Sequence, residues 1–402
     1  MAVSEKGAQA VAKSSGGMAF LYDERVRAVF YQVLTFGVVA WCAWYLFTNT
    51  AQNLEARGMS SGFGFLFLSA GFDTDFKLID YTVGDAYGRL YILGILNTLF
   101  VSLMAIVFTT MLGFFMGIMR LSSNWLISKL AAAYVEVLRN TPLLMQIIFW
   151  YLGVFALLPR PKQSLDFGGA GVAFLNNRGF YMPSPEFGEL FWLSCVALIA
   201  AIGAVVVLRR WARRRQALTG EQFPVFWAGF GIVTALPLVA FFATGSPLTW
   251  NLPALVGFNF VGGTAVPPAF LALLVALSIY HSAYLAESVR AGILSVSRGQ
   301  TEAAYSLGLR PNRTLQLVII PQAMRAIIPP LISLWMNVVK NSSLAVAIGY
   351  PDIVALFMQT SLNQSGYAIE IVALTMLFYM TTSLTISAAL NVYNKRVQIK
   401  ER

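Results

Sequence analysis

Few residues in this 402-residue chain could do chemistry, and their types limit what chemistry that would be. There is one histidine, His281, and there are two cysteines, Cys42 and Cys195, with no spacing that would cage a metal. All three lie in apolar runs. The cysteines read as small buried residues and the histidine as structural or solvated. No Gly-Lys dipeptide occurs, so the phosphate-cradling loop of a P-loop ATPase is missing. No cofactor and no enzyme chemistry are assigned to the polypeptide itself.

Amides, hydroxyls and one cation are left near or within apolar stretches. Asn337, Lys340, Asn341, Ser342 and Ser343 cluster late in one run, Asn97 and Thr98 near the start of another, and Gln146 in a third. A cation with amide neighbours inside a membrane could hold a carboxylate, but a lysine near a helix end more often snorkels or makes a structural pair. Carboxylates are scarce there: the apolar runs contain no Asp, and Glu370 is their only Glu. That argues against an internal proton relay.

A second constellation is polar and compact. In "SVSRGQTEAAYSLGLRPNR", Ser297 and Gln300 stand at the Ser-x-x-Gln spacing of a capping box, with Thr301 as an alternative cap. Gly308 suits the left-handed residue that ends a helix, and Pro311 the first turn of the next. A helix of about ten residues is too short to stand alone and needs a surface to lie against. Ala303, Ala304 and Leu307 supply a small apolar face and Glu302 a charged edge. The surface could be lipid headgroups or a groove in a soluble partner; the residues alone leave both open.

The elements that must position these groups are membrane helices. The chain is 57% hydrophobic and 11% charged, against about 25% charged in soluble domains. Eight runs can span: 29–48, 91–119, 141–158, 190–208, 224–244, 266–286, 322–348 and 369–392. The second is long enough to tilt or to extend past the bilayer. With the N-terminus inside, 20 of the 28 Lys and Arg fall on inner segments and six on outer ones, while Arg325 and Lys340 lie in the seventh run. This predicts N-in, C-in, and explains the net charge of +10 without nucleic acid. "RRWARRR" (Arg209 to Arg215) reads as an anchor near anionic lipid. The first run, with no cleavage pattern after it, reads as an uncleaved span behind a short tail. The segment 49–90 is acidic and weakly amphipathic, and 159–189 is a Gly/Pro/Asn-rich hairpin or compact loop.

The residues also carry a family resemblance. "EAAYSLG" (Glu302 to Gly308), followed after nine residues by "VIIP" (Val318 to Pro321), resembles the EAA loop of bacterial ABC importer permeases, with mild apolar swaps at Val318 and Ile320. "GILNTLFVS", "EVLRNTPLLMQ", "AYLAESVRAGI", "PQAMRAIIPPL" and "VVKNSSLAVAIG" resemble the polar amino-acid (histidine/glutamate/glutamine) branch. The N-terminal helix, 49–90 and "NNRGFYMPSP" look like the general L-amino acid permeases of α-proteobacteria.

The resemblance implies an all-α inner-membrane protein of about eight spans. Residues 1–87 would be a tail, first helix and periplasmic segment, 88–392 a type I permease domain with an insertion at about 159–265, and 393–402 a tail. It implies an importer of L-amino acids paired with a homologous second permease as a heterodimer, or with a copy of itself, with a cytosolic ABC ATPase dimer that uses ATP and Mg, and with a periplasmic amino-acid-binding protein. Glu302, Ala303, Ala304 and Gly308 would couple to the ATPase. The rival readings are an ion-gradient-driven transporter or channel, distinguished by uptake without ATP hydrolysis, and a non-transporting scaffold.

Overall fold

The computed structural model describes residues 24–56, 62–167, 169 and 171–397. The outer parts of both expected tails, 1–23 and 398–402, lie outside the described residues.

The core is three helices packed through small residues. α2 (Tyr87–Met119) lies along α7 (Pro268–Leu294), and α7 in turn along α10 (Ile320–Asn341). Gly113 and Gly117 form a small-xxx-small pair on α2. A Cβ at Gly113 would come within 2.6 Å of the Leu285 side chain, and one at Gly117 within 2.7 Å of Val289. Gly292 admits Ile327 of α10 in the same way. In a membrane, where lipid tails are as apolar as leucine, such close approach is what holds helices together. α7 is therefore buried on most sides, its Leu273, Leu277, Leu285 and Val289 fully closed from solvent. α12 (Ala368–Val397) closes the core beside α10.

Among the described residues, seven helices are long and apolar enough to cross a membrane, together with one shorter apolar helix. The exception is the 141–158 run. α3 (Trp125–Asn140) is capped by Asn124, whose side chain accepts from the Leu126 and Ile127 amides at 3.0 and 3.3 Å. It stops before Pro142, and only Leu143–Phe155, α4 with its wider π-type continuation, follows. Those residues reach roughly 20 Å at 1.5 Å each, short of about 30 Å of hydrocarbon. α1 (Glu24–Ala56) buries none of its described side chains, as suits an apolar helix surrounded by lipid or partner.

α5 (Phe191–Thr219) and α6 (Val225–Ala243) form a hairpin turned at Gly220 (φ 73°). The segments flanking this hairpin are the strand-forming part of the chain. β1 (Leu165–Phe167), β2 (Ala173–Asn176), β3 (Gly179–Met182) and β8 (Thr264–Val266) make an antiparallel sheet in the order β1-β2-β3-β8. β4 (Ser184–Phe187) pairs with β5 (Leu248–Asn251), and β6 (Ala254–Val256) with β7 (Asn259–Val261). The expected hairpin in 159–189 is present. Its pairing with 245–266, in the registers Phe180↔Val266 and Glu186↔Thr249, places both segments at the same end of the molecule.

That end also holds residues 62–86, where Phe65 stacks on Tyr367 at 4.8 Å and Phe76 on Phe270 at 5.5 Å. The opposite end holds the close of α2, the α5–α6 turn and the short helices α8 (Arg298–Ser306) and α9 (Pro311–Thr314). Cys42 and Cys195 are free and exposed on α1 and α5, which corrects the reading of both as buried. Exposed apolar positions on spanning helices face lipid or a partner, and a lone sequence cannot tell that face from the core.

Candidate functional site

α8 begins after Ser297, the expected cap position (ψ 144°), but the box itself is not formed. The Ser297 side chain makes no cap bond. The Gln300 side chain instead accepts from Gln322 Nε2 at 3.1 Å, tying α8 to the start of α10. The other terminus is as expected. Gly308 is left-handed (φ 76°); its amide donates to Tyr305 O at 2.9 Å and that of Leu309 to Ala304 O at 3.1 Å. These are the two bonds of a Schellman motif. Pro311 opens α9 at its first turn.

Packing splits the apolar face that the spacing suggested. Ala304 is turned inward and 4% exposed, whereas Glu302 and Ala303 face outward with Tyr305 and Leu307. Leu307 is 82% exposed. A helix of this length with an uncovered Ala, Tyr and Leu beside a carboxylate is built to be covered by something else.

Close to the root of α8, Glu287 of α7 joins Arg120, at the end of α2, to Arg290 one turn along, the latter at 2.7 Å. The cluster clamps two core helices at the end that bears α8.

A groove of about 590 Å³ runs beside this clamp, between α7 and α10. Its α10 wall is formed by Leu334 and a stripe of small and polar residues, Ala326, Pro330, Ser333 and Asn337. Lys340 continues the stripe at helical spacing and is exposed. Arg139 of α3 lies over the Tyr284 ring at 5.1 Å on the far wall. Pro329 and Pro330 lack amide hydrogens, so the carbonyls of Arg325 and Ala326 lose their helical donors at this groove.

The polar residues singled out from the sequence therefore fall into two sets. Asn337 and Lys340 face outward on the stripe, and Ser343, half-buried, returns its hydroxyl to Lys340 O at 2.7 Å. The rest turn inward and bond the protein itself. Asn97 donates to Phe76 O and Pro351 O at 3.2 and 2.9 Å. Thr98 accepts from the Ile353 amide at 3.0 Å, and Gln146 donates to Leu138 O and Thr141 O across the α3–α4 elbow. Ser342 bonds Val339 O. His281 Nδ1 meets Leu277 O at 2.8 Å, so that nitrogen carries the proton and Nε2 accepts from Asn341 at 3.0 Å. The structural reading of His281 matches this chain of bonds.

Sequence reasoning passed over Asp352. It is fully buried, caps the helical turns after it by accepting from the Ala355 amide at 2.8 Å, and leaves Oδ2 without a partner. It lies between the two last spans. Burial pushes its carboxyl up to about 7, against the lowering pull of the amides. Its place three residues ahead of Ala355, at the start of a turn, was the available signal.

Apolar helices, a two-ended core and a short uncovered helix at one end define a multi-pass membrane protein. The chain belongs to the family of binding-protein-dependent transport system inner membrane components, which matches residues 197–399. It is an inner-membrane transport subunit, and membership implies in general an ATPase and a substrate-binding protein as partners. It is 49% identical to the putative amino-acid ABC transporter permease protein YhdX of Escherichia coli (strain K12), over 96% of this chain and 98% of that one. It is 45% identical to the general L-amino acid transport system permease protein AapQ of Rhizobium johnstonii, over 95% of each. A third relative is the glutamate/glutamine/aspartate/asparagine transport system permease protein BztB of Rhodobacter capsulatus, 40% identical over 95% of this chain and 96% of that one.

Proposed function

We propose that this chain is a permease subunit of an ATP-driven importer that carries L-amino acids into the cytoplasm. The end bearing α8 faces the cytoplasm, and ATP with Mg is bound and hydrolysed by a separate ATPase dimer. A homologous second permease covers the stripe on α10, and a periplasmic amino-acid-binding protein meets the strand-bearing end. The names of the relatives support the substrate class, and the excess of Lys and Arg on the α8 side supports the orientation.

The observation that carries the reading is the outward face of α8. Glu302 and Ala303 are uncovered on a helix too short to hold itself, with Gly308 making the sharp exit. A partner cleft that takes this helix pulls on α10 through Gln300–Gln322 and on α7 through the chain at Ser295. Asn337 and Lys340 are the substrate-path residues that face the stripe. Asn97, Thr98, Gln146, Asn341, Ser342 and Ser343 support that path by holding its walls.

The test is Glu302→Lys in the reconstituted complex. It should leave the membrane subunits assembled while ATP-driven amino-acid uptake falls to background. Uptake at the wild-type rate, or uptake that persists when ATP hydrolysis is blocked, would overturn the reading.

A further inference from the structure

We infer that a cationic pocket at the strand-bearing end binds the phosphate of an anionic phospholipid. Three basic side chains line it. Arg160 and Lys162 follow the close of α4, and Arg178 stands in the β2–β3 turn, with Phe258 of the β6–β7 turn as the fourth wall. No acidic residue lines it, and none of the three cations makes an ion pair among the described residues. At the same end Lys77 pairs with Asp73 at 2.6 Å and Arg89 with Asp85 at 3.7 Å. Among the described residues of 62–90, both cations are thus paired, whereas the three of 159–189 are gathered without a carboxylate partner.

The pocket is built rather than a chance of long side chains. The Asn177 amide donates to Pro159 O at 3.0 Å, fastening the β2–β3 turn to the end of α4. Arg178 Nη1 donates to Phe258 O at 3.2 Å, and Lys162 Nζ lies 4.6 Å from the centre of the Phe258 ring. The volume, about 800 Å³, exceeds what a single ion needs.

Position selects lipid over a soluble anion. Leu158 lies where α4 leaves its apolar run, and β3 of the same sheet pairs with β8, two residues before α7 begins. The cations thus stand beside the ends of two apolar helices, α4 and α7, where the phosphates of a surrounding bilayer would meet them. Leu157 and Phe258, 76% and 75% exposed, are apolar neighbours for the glycerol and upper acyl chain.

The experiment is native mass spectrometry of the full-length chain, released from micelles holding equal phosphatidylglycerol and phosphatidylethanolamine. Replacement of Arg209, Arg210, Arg213, Arg214 and Arg215 by Gln serves as the background, removing lipid held by the other basic cluster. Retention of one phosphatidylglycerol, weakened roughly ten-fold or more by Arg160→Gln/Lys162→Gln/Arg178→Gln, is expected. Inorganic phosphate should compete with it. If the triple variant melts early, Lys162→Gln alone should still weaken retention. Equal retention of both lipids, or retention indifferent to these substitutions, would overturn the proposal. So would variants that keep their lipid but lose binding of the partner solute-binding protein or of free L-glutamate. Because retention is read without transport, its failure is distinct from failure of the importer reading.

Discussion

Asp352 is a carboxylate on which burial acts against charge. It lies outside the spanning helices, is closed from solvent, and bonds an amide through one oxygen only. Its carboxyl is raised from 3.8 to about 7 chiefly by desolvation. A folded-state value above the unfolded one means that the folded protein holds the proton longer. The group's contribution to stability is complete below about pH 4 and is lost as pH rises through about 7. Asp352→Asn keeps a capping oxygen and removes the charge. Its melting temperature in detergent should exceed that of the parent by several degrees at pH 8 and converge with it at pH 4. Lys340 is the opposite case, an exposed cation at the C-terminal end of α10, where the helix dipole favours positive charge. If it holds a substrate carboxylate, Lys340→Gln should lower uptake by roughly ten-fold, the loss of one charge-assisted hydrogen bond, with complex assembly intact. Unchanged uptake would reduce Lys340 to a dipole partner.

Among the elements, α8 combines strong local signals with weak local stability. Its end at Gly308 was legible because a left-handed residue after a helix has a clear chemical signature. Its cap was legible in position but not in bonding, since Gln300 finds Gln322, 22 residues on, a better partner than Ser297. Gly308→Ala meets no steric obstacle, so its cost is the left-handed backbone alone, roughly 1 kcal/mol. Hydrogen exchange of the α8 amides should accelerate by roughly five-fold while the core amides of α7 are unaffected. Equal acceleration in both helices would mean that α8 and the core open as one unit. The pairing of β3 with β8 and of β4 with β5 was not legible. It joins segments separated in sequence by two long helices, and three- or four-residue strands carry too little alternation to declare their partners.

For the whole molecule, the division into two ends is the feature on which function depends. Substituted-cysteine labelling checks it against the membrane. With Cys42 and Cys195 replaced by Ser, Val256→Cys on the strands should react with an impermeant maleimide in intact cells. Asn312→Cys beside α8 should react only after permeabilisation. The reverse pattern would invert the proposed orientation. The sequence by itself determined the membrane class, the apolar runs, the basic segments and the short helix that needs a surface to lie against. These follow from composition, run length and local caps, each readable within a few turns of chain. Only the tertiary structure decided which polar residues face outward. Asn97, Thr98, Gln146 and Asn341 look alike in sequence to Asn337 and Lys340, yet the first four spend their hydrogen bonds inside the fold. The tertiary structure also decided that three cations scattered from Arg160 to Arg178 converge on one pocket. The physical reason is the same in both cases: the direction of a side chain in a helix buried on several sides, or on a strand a few residues long, is set by partners distant in the chain.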